Sequence, residues 1–204
     1  MIENLRYYFR NNIKEYIVVS IIFLIGVVVG VMVINNSKED QAKEVKSYVE
    51  NIINNIKEEE NINSNSVFTS KLKSNILFII LCGVLGSTFI GIPLLLVLIG
   101  YKGFSLGYTI SSIMASSSEL NKGISFSICS LLPQNIFLIL SLFVVGVSGI
   151  NFCKCIISKR RDNFKFEIIK YIFFLIIAVC LAIIASLAEG YISVNLIKIF
   201  KKNF

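Results

Sequence analysis

Long uncharged, apolar segments dominate this chain and are separated by shorter charged ones. The runs that contain no Asp, Glu, Lys or Arg are residues 16–37, 74–101, 103–118, 123–153 and 171–188. A helix of about 20 apolar residues spans the hydrocarbon core of a bilayer, whereas a helix of a soluble domain keeps a polar face towards water. The pattern therefore predicts an all-α, polytopic membrane bundle of about five transmembrane helices, at residues 16–35, 75–99, 103–118, 124–151 and 168–193.

Two prolines predict that some of these helices are broken or kinked. Pro93 follows Gly91 and Ile92 in the second predicted helix, and Pro133 lies in the fourth. Proline removes a helical hydrogen bond, so we expect a kink or break at 91–93 and a regular fourth helix that starts only after Pro133. The third predicted helix is short and could be tilted or partly re-entrant.

The amides of Gln134 and Asn135 follow Pro133 inside an uncharged run. Buried amides must find hydrogen-bond partners. They could bond to backbone groups that Pro133 leaves free, which is the simpler interpretation, or they could line a polar cavity.

The distribution of basic residues predicts the orientation. Arg6, Arg10 and Lys14 precede the first helix, and a basic loop at 152–167 follows the fourth. Cytoplasmic loops are enriched in Lys and Arg, so both segments are predicted to be cytoplasmic and the C-terminus external. The lysines of the basic tail, Lys198, Lys201 and Lys202, oppose this assignment, and a sixth crossing is the alternative.

This orientation divides the chain into four parts. Residues 1–15 form a cytoplasmic segment, 16–35 an uncleaved transmembrane anchor, 36–74 an extracytoplasmic amphipathic helix and linker, and 75–204 the membrane bundle. In the external segment, Val45, Val49, Ile52 and Ile56 recur at helical spacing. That stripe could lie on the membrane or could dock another extracytoplasmic protein.

Composition excludes several function classes. The chain has no His, no nucleotide-binding loop and only 16% charged residues, against about 25% in a soluble domain. The net charge of +7 is explained by membrane orientation, so we expect lipid and no nucleic acid as a partner. The sequence predicts no enzyme activity, no metal site and no cofactor.

Small and acidic residues in the helices are candidates for structural or partner contacts. Gly26-x-x-x-Gly30 and Gly103-x-x-x-Gly107 allow close helix packing, either within the chain or in a homo-oligomer. Glu189 lies near the external end of the last helix, where it is either a solvated carboxylate or a functional contact.

The order of several short motifs resembles the stage II sporulation protein M family. The segments that carry the resemblance are Ser74-Asn75-Ile76, the run from Gly100 through Gly103 to Gly107, the run from Leu131 through Pro133 to Phe137, and Ala188-Glu189-Gly190-Tyr191. The second segment is similar to a tight hairpin between two helices in that family. Gln134, Asn135 and Leu138 depart from the residues that many members have.

The resemblance implies a specific role. Such proteins are non-catalytic membrane scaffolds that hold peptidoglycan-degrading partners, similar to a septal lytic transglycosylase and a peptidoglycan amidase, during engulfment in sporulation. The implied location is the cell membrane on the mother-cell side of the septum. A small transporter or permease-like component is the alternative, because broken helices near polar side chains are typical of substrate sites.

Overall fold

The computed structural model describes residues 10, 12–36, 64–116, 120–157 and 164–193. Within these ranges it contains no strand and five helices long and apolar enough to cross a membrane, which confirms the predicted fold class. The helices are α1 (Ile13–Asn35), α2 (Ser64–Gly86), α3 (Gly91–Ser116), α4 (Leu120–Ile157) and α5 (Phe164–Leu187), the last continued by a π-helical segment, Ala188–Ser193.

Helix α4 is the centre of the bundle. In the 18-residue apolar stretch of α4 that is suited to the membrane, 56% of the residues are buried, against 17–28% in the corresponding stretches of the other four described helices. Leu142, Val145 and Val147 are fully buried against the surrounding helices. The remaining helices therefore expose more of their apolar surface to lipid than α4 does.

Helices α1 and α3 form a close parallel pair. A Cβ atom built on Gly26 would lie 3.0 Å from the carbonyl carbon of Gly100, and one built on Gly107 would lie 3.0 Å from Cα of Val27. Contact positions advance in the same direction along both helices, so the two helices run parallel. The glycine motifs of α1 and α3 thus serve packing within the chain.

The helices alternate in direction, and the bundle has two distinct ends. At the basal end, Glu15 of α1 forms an ion pair with Lys154 of α4. At the distal end, the start of α2 meets the end of α5, where a Cβ atom on Gly190 would lie 2.7 Å from Cβ of Phe68. The first helix therefore begins at the basal end and α5 ends at the distal end.

The boundary between the second and third helices differs from the prediction. The chain reverses at residues 87–90, and the predicted hairpin at Gly100–Gly107 lies inside the continuous helix α3. In the turn, Ser87 donates to the Val84 carbonyl (2.7 Å) and Thr88 Oγ1 accepts from the Gly91 backbone N–H (3.1 Å). These short side chains satisfy helix-end groups without any charge, which is why hydropathy did not reveal the turn.

Two further boundaries are corrected. Helix α2 begins at Ser64, so residues 64–74 belong to a membrane helix and not to the external linker. Helix α4 runs from Leu120 through Pro133, so the proline does not start the helix. A single lost backbone hydrogen bond is tolerated inside a membrane bundle. Of the predicted basic loop 152–167, residues 152–157 belong to α4 and 164–167 to α5, and residues 158–163 lie outside the described part of the chain.

Candidate functional site

The polar contacts at the distal end join α2 to the end of α5. This α2–α5 junction consists of Asn65, Phe68, Lys71 and Asn75 on α2 and Ser186, Glu189, Gly190 and Tyr191 on α5 and its π-helical segment. Two of the four segments that resemble the family, Ser74-Asn75-Ile76 and Ala188-Glu189-Gly190-Tyr191, therefore meet here although they lie far apart in the sequence.

The inner layer of the junction is a buried hydrogen-bond chain. Asn75 Nδ2 donates to Ser186 Oγ at 3.0 Å, and Ser186 Oγ donates to the Ala182 carbonyl at 2.9 Å. Asn75 is 9% exposed and Ser186 is fully buried. An amide in this apolar setting needs a partner, so the pair fixes the register between α2 and α5.

The middle layer is an ion pair. Lys71 Nζ lies 2.8 Å from Glu189 Oε1, and the Glu189 side chain is 14% exposed. The Glu189 carboxylate is therefore largely covered and is compensated by a cation of the same chain. A role of Glu189 in partner contact stays a prediction.

The outer layer is aromatic and close-packed. The Tyr191 hydroxyl donates to Asn65 Oδ1 at 2.7 Å, and the rings of Phe68 and Tyr191 lie 6.0 Å apart. Gly190 permits this approach, since any side chain there would meet the backbone of Phe68. The segment that carries Glu189 and Tyr191 is π-helical, a geometry that occurs frequently at functional sites.

Lys102 is a polar residue that the sequence interpretation assigned to a loop. It lies in α3 near the middle of the span Gly91–Ala115, with its ammonium 5.9 Å from the Phe78 ring centroid. Lys71 and Glu189 act on it electrostatically. The glycines at 100, 103 and 107 recur at helical spacing on both sides of Lys102, and this spacing could have indicated that the lysine lies within a helix.

The other predicted site residues lie elsewhere. Gly100, Gly103 and Gly107 face α1, and Asn135 is half-buried on α4. The remaining predicted positions lie outside what the structure describes: the side chains of Pro133 and Gln134, the external stripe of Val45, Val49, Ile52 and Ile56, and the basic tail of Lys198, Lys201 and Lys202.

The junction consists of hydrogen bonds and an ion pair that hold α2 against the end of α5. Among the described residues, no group of three or more His, Cys, Asp or Glu could hold a metal ion. The hydroxyls and amides of the junction bond to each other or to backbone. This arrangement can fix a helix end or contact another protein.

Comparison with known proteins identifies relatives over nearly the whole chain. A family model described as Stage II sporulation protein M matches residues 19–194, which include all residues of the α2–α5 junction. An uncharacterized protein, MJ0793, of Methanocaldococcus jannaschii is 27% identical over 185 residues, covering 87% of this chain and 92% of that relative. No solved structure matches.

Proposed function

This chain belongs to the Stage II sporulation protein M family, and from that premise we propose that it is a sporulation membrane protein that holds peptidoglycan-degrading enzymes at the septum during engulfment. The family match over residues 19–194 is the observation that carries the proposal. The protein itself does no chemistry in this role. Its partners are similar to a septal lytic transglycosylase and a peptidoglycan amidase.

The orientation of the bundle supports this role. Lys14, Lys154 and Lys165 lie at the basal end or next to it, which the positive-inside rule assigns to the cytoplasm. With this orientation the α2–α5 junction would be at the external face of the membrane, the face on which peptidoglycan-degrading enzymes act. This position supports a role of the junction as a contact surface of the scaffold.

The packing of α2 on α4 favours a scaffold over the transporter alternative. Gly86 and Gly149 approach so closely that a Cβ on Gly149 would lie 3.0 Å from the Cα of Gly86, and neighbouring Cys82 is fully buried. A substrate cavity has no room at that level. A groove of about 690 Å³ between α3 and α4 has an almost entirely apolar lining that includes Phe89 and Ile150, which does not suit a polar substrate.

Affinity purification of the tagged protein from sporulating cells in mild detergent tests the proposal. We expect transglycosylase and amidase activities on purified peptidoglycan to co-elute with the protein, and both enzymes to lose their septal position when its gene is deleted. Normal localisation and recovery of both hydrolases without this protein would contradict the scaffold role.

The substitution Glu189→Ala tests the contribution of the α2–α5 junction. It removes the carboxylate that pairs with Lys71, so we expect hydrolase recovery to fall several-fold while the amount of protein in the membrane stays unchanged. Glu167→Ala is the matched control, because it removes a carboxylate that pairs with Lys170 at the basal end. If the two substitutions changed hydrolase recovery equally, a specific role of Glu189 in partner binding would be contradicted.

A further inference from the structure

Lys102 places a positive charge near the middle of a membrane span. The side chain is half-buried between α3 and α2, and its ammonium lies over the Phe78 ring at 5.9 Å. No carboxylate of the described residues forms a salt bridge with it. A cation at this depth is costly, so a membrane lysine with no salt bridge to a described carboxylate points to an anionic partner.

The charges nearest to Lys102 do not neutralise it. Lys71 and Glu189 act on Lys102 electrostatically, but Lys71 is itself within 2.8 Å of Glu189. Glu189 therefore acts on two lysines, and a further anion beside Lys102 would be worth more in a low-dielectric setting than in water.

We propose that Lys102 recognises a carboxylate carried near the middle of a transmembrane helix of a partner protein. In terms of the proposed function, this contact would hold a partner inside the membrane, below the α2–α5 junction. The exposed apolar side chains beside it offer packing surface for such a helix: Leu77 (69% exposed) and Val84 (60%) on α2, and Val97 (66%) and Tyr101 (62%) on α3.

A second copy of this chain does not fit the site. The acidic residues at or near the ends of the uncharged runs include Glu15, Glu119, Glu167 and Glu189, and the runs themselves contain no carboxylate. A second copy therefore has no acidic group at the depth of Lys102.

A lipid phosphate does not fit either. Phosphates lie at the bilayer surface, about 15 Å from the midplane of a hydrocarbon core roughly 30 Å thick. A lysine side chain spans about half of that distance when it snorkels, so its ammonium does not reach the phosphate. A carboxylate within a transmembrane helix matches the depth.

A defined peptide in vesicles tests the proposal without reference to the hydrolases. The full-length protein is reconstituted in phosphatidylcholine vesicles with a labelled polyleucine transmembrane peptide that has one central Asp, or with a matched peptide that has Asn. Energy transfer measures association. We expect the Asp peptide to bind about tenfold more tightly, and Lys102→Met to abolish the difference.

Two substitutions control the experiment. Lys102→Arg keeps the charge and should keep the preference for the Asp peptide. Lys165→Met removes an exposed lysine at the basal end and should also keep it. Circular dichroism and size exclusion check that each variant folds.

Three results would overturn the inference. One is an absence of preference for the Asp peptide in the wild-type protein, and another is a preference that survives Lys102→Met. The third is a Lys102-dependent contact with something other than the peptide. Enrichment of phosphatidylglycerol around the protein, measured in vesicles that also contain this lipid, would assign the site to lipid, and self-association of the labelled protein would assign it to a second copy. Failure of the hydrolase purification with a positive peptide result would overturn the scaffold role and leave the carboxylate site standing.

Discussion

At the scale of single residues, the α1–α3 pair depends on positions that have no side chain. A Cβ atom on Gly103 would lie 3.2 Å from the carbonyl carbon of Phe23 and would overlap its carbonyl oxygen. A Cβ atom on Gly100 would lie 3.4 Å from Ile22 Cγ2 and 3.8 Å from the Ile22 carbonyl oxygen, which are ordinary contacts. Two glycines of one helix, three positions apart, therefore differ in how much they limit the approach of α1.

This difference predicts unequal effects of the same substitution. We expect Gly103→Ala to lower the free energy of unfolding by about 1–3 kcal/mol, because backbone must move to admit the methyl group. Gly100→Ala should change it by less than about 0.5 kcal/mol. Thermal unfolding of the detergent-solubilised protein, followed by size exclusion, measures both. Similar losses in the two variants would contradict the packing described here.

Some residue-level features were predictable and others were not. The glycine spacing at 103 and 107 predicted a packing face, since small residues at that spacing form a stripe on one side of a helix. The pairing of Asn75 with Ser186 was not predictable, because it depends on how α2 and α5 are placed side by side. The depth of Lys102 was misjudged, because a charge between two apolar runs is typical of a loop.

At the scale of elements, the ends of α1 and α4 are held together by one buried carboxylate. Glu15 is 7% exposed and pairs with Lys154, while its second oxygen, Oε2, has no hydrogen-bond partner among the described residues. The carboxylate therefore depends strongly on the lysine. Burial of an unpaired charge is more costly than the pair itself is favourable.

Removal of the lysine alone should therefore destabilise the fold more than removal of both charges does. We expect Lys154→Met to lower the free energy of unfolding by about 2 kcal/mol, because it leaves the Glu15 carboxylate buried without its donor. Glu15→Gln combined with Lys154→Met should recover most of that loss. Reversible unfolding in mixed detergent micelles compares the two variants with the wild-type protein. A double variant as unstable as Lys154→Met would contradict this dependence.

Element boundaries were predictable only where charge marked them. The start and end of α1 follow the uncharged run closely, since charged or amide residues flank it on both sides. The α2–α3 turn was placed too late along the chain, because its four residues are uncharged and Pro93 is accommodated in the first turn of α3. Hydropathy indicates which segments are apolar enough to lie in the membrane. It does not distinguish a kinked helix from a short turn whose ends are capped by uncharged polar side chains.

At the scale of the whole molecule, alternating helix directions place the start of α1 and the end of α5 at opposite ends of the bundle. Helix α1 begins at the basal end and α5 ends at the distal end. With the basal end in the cytoplasm, we expect an alkaline phosphatase fused after Phe204 to be active and a green fluorescent protein fused there to be dark. Fusions after Arg161 should give the opposite pattern. A fluorescent C-terminal fusion would indicate the sixth crossing.

The parallel seam between α1 and α3 has a consequence for biogenesis. Helix α2 separates the two in the sequence, so α1 enters the membrane before its main partner has left the ribosome. Until α3 is inserted, the glycine face of α1 is either exposed to lipid or bound by the insertion machinery. A chain stalled after α2 would display that face unpaired, and membrane quality-control proteases would have a marker that distinguishes it from a finished protein.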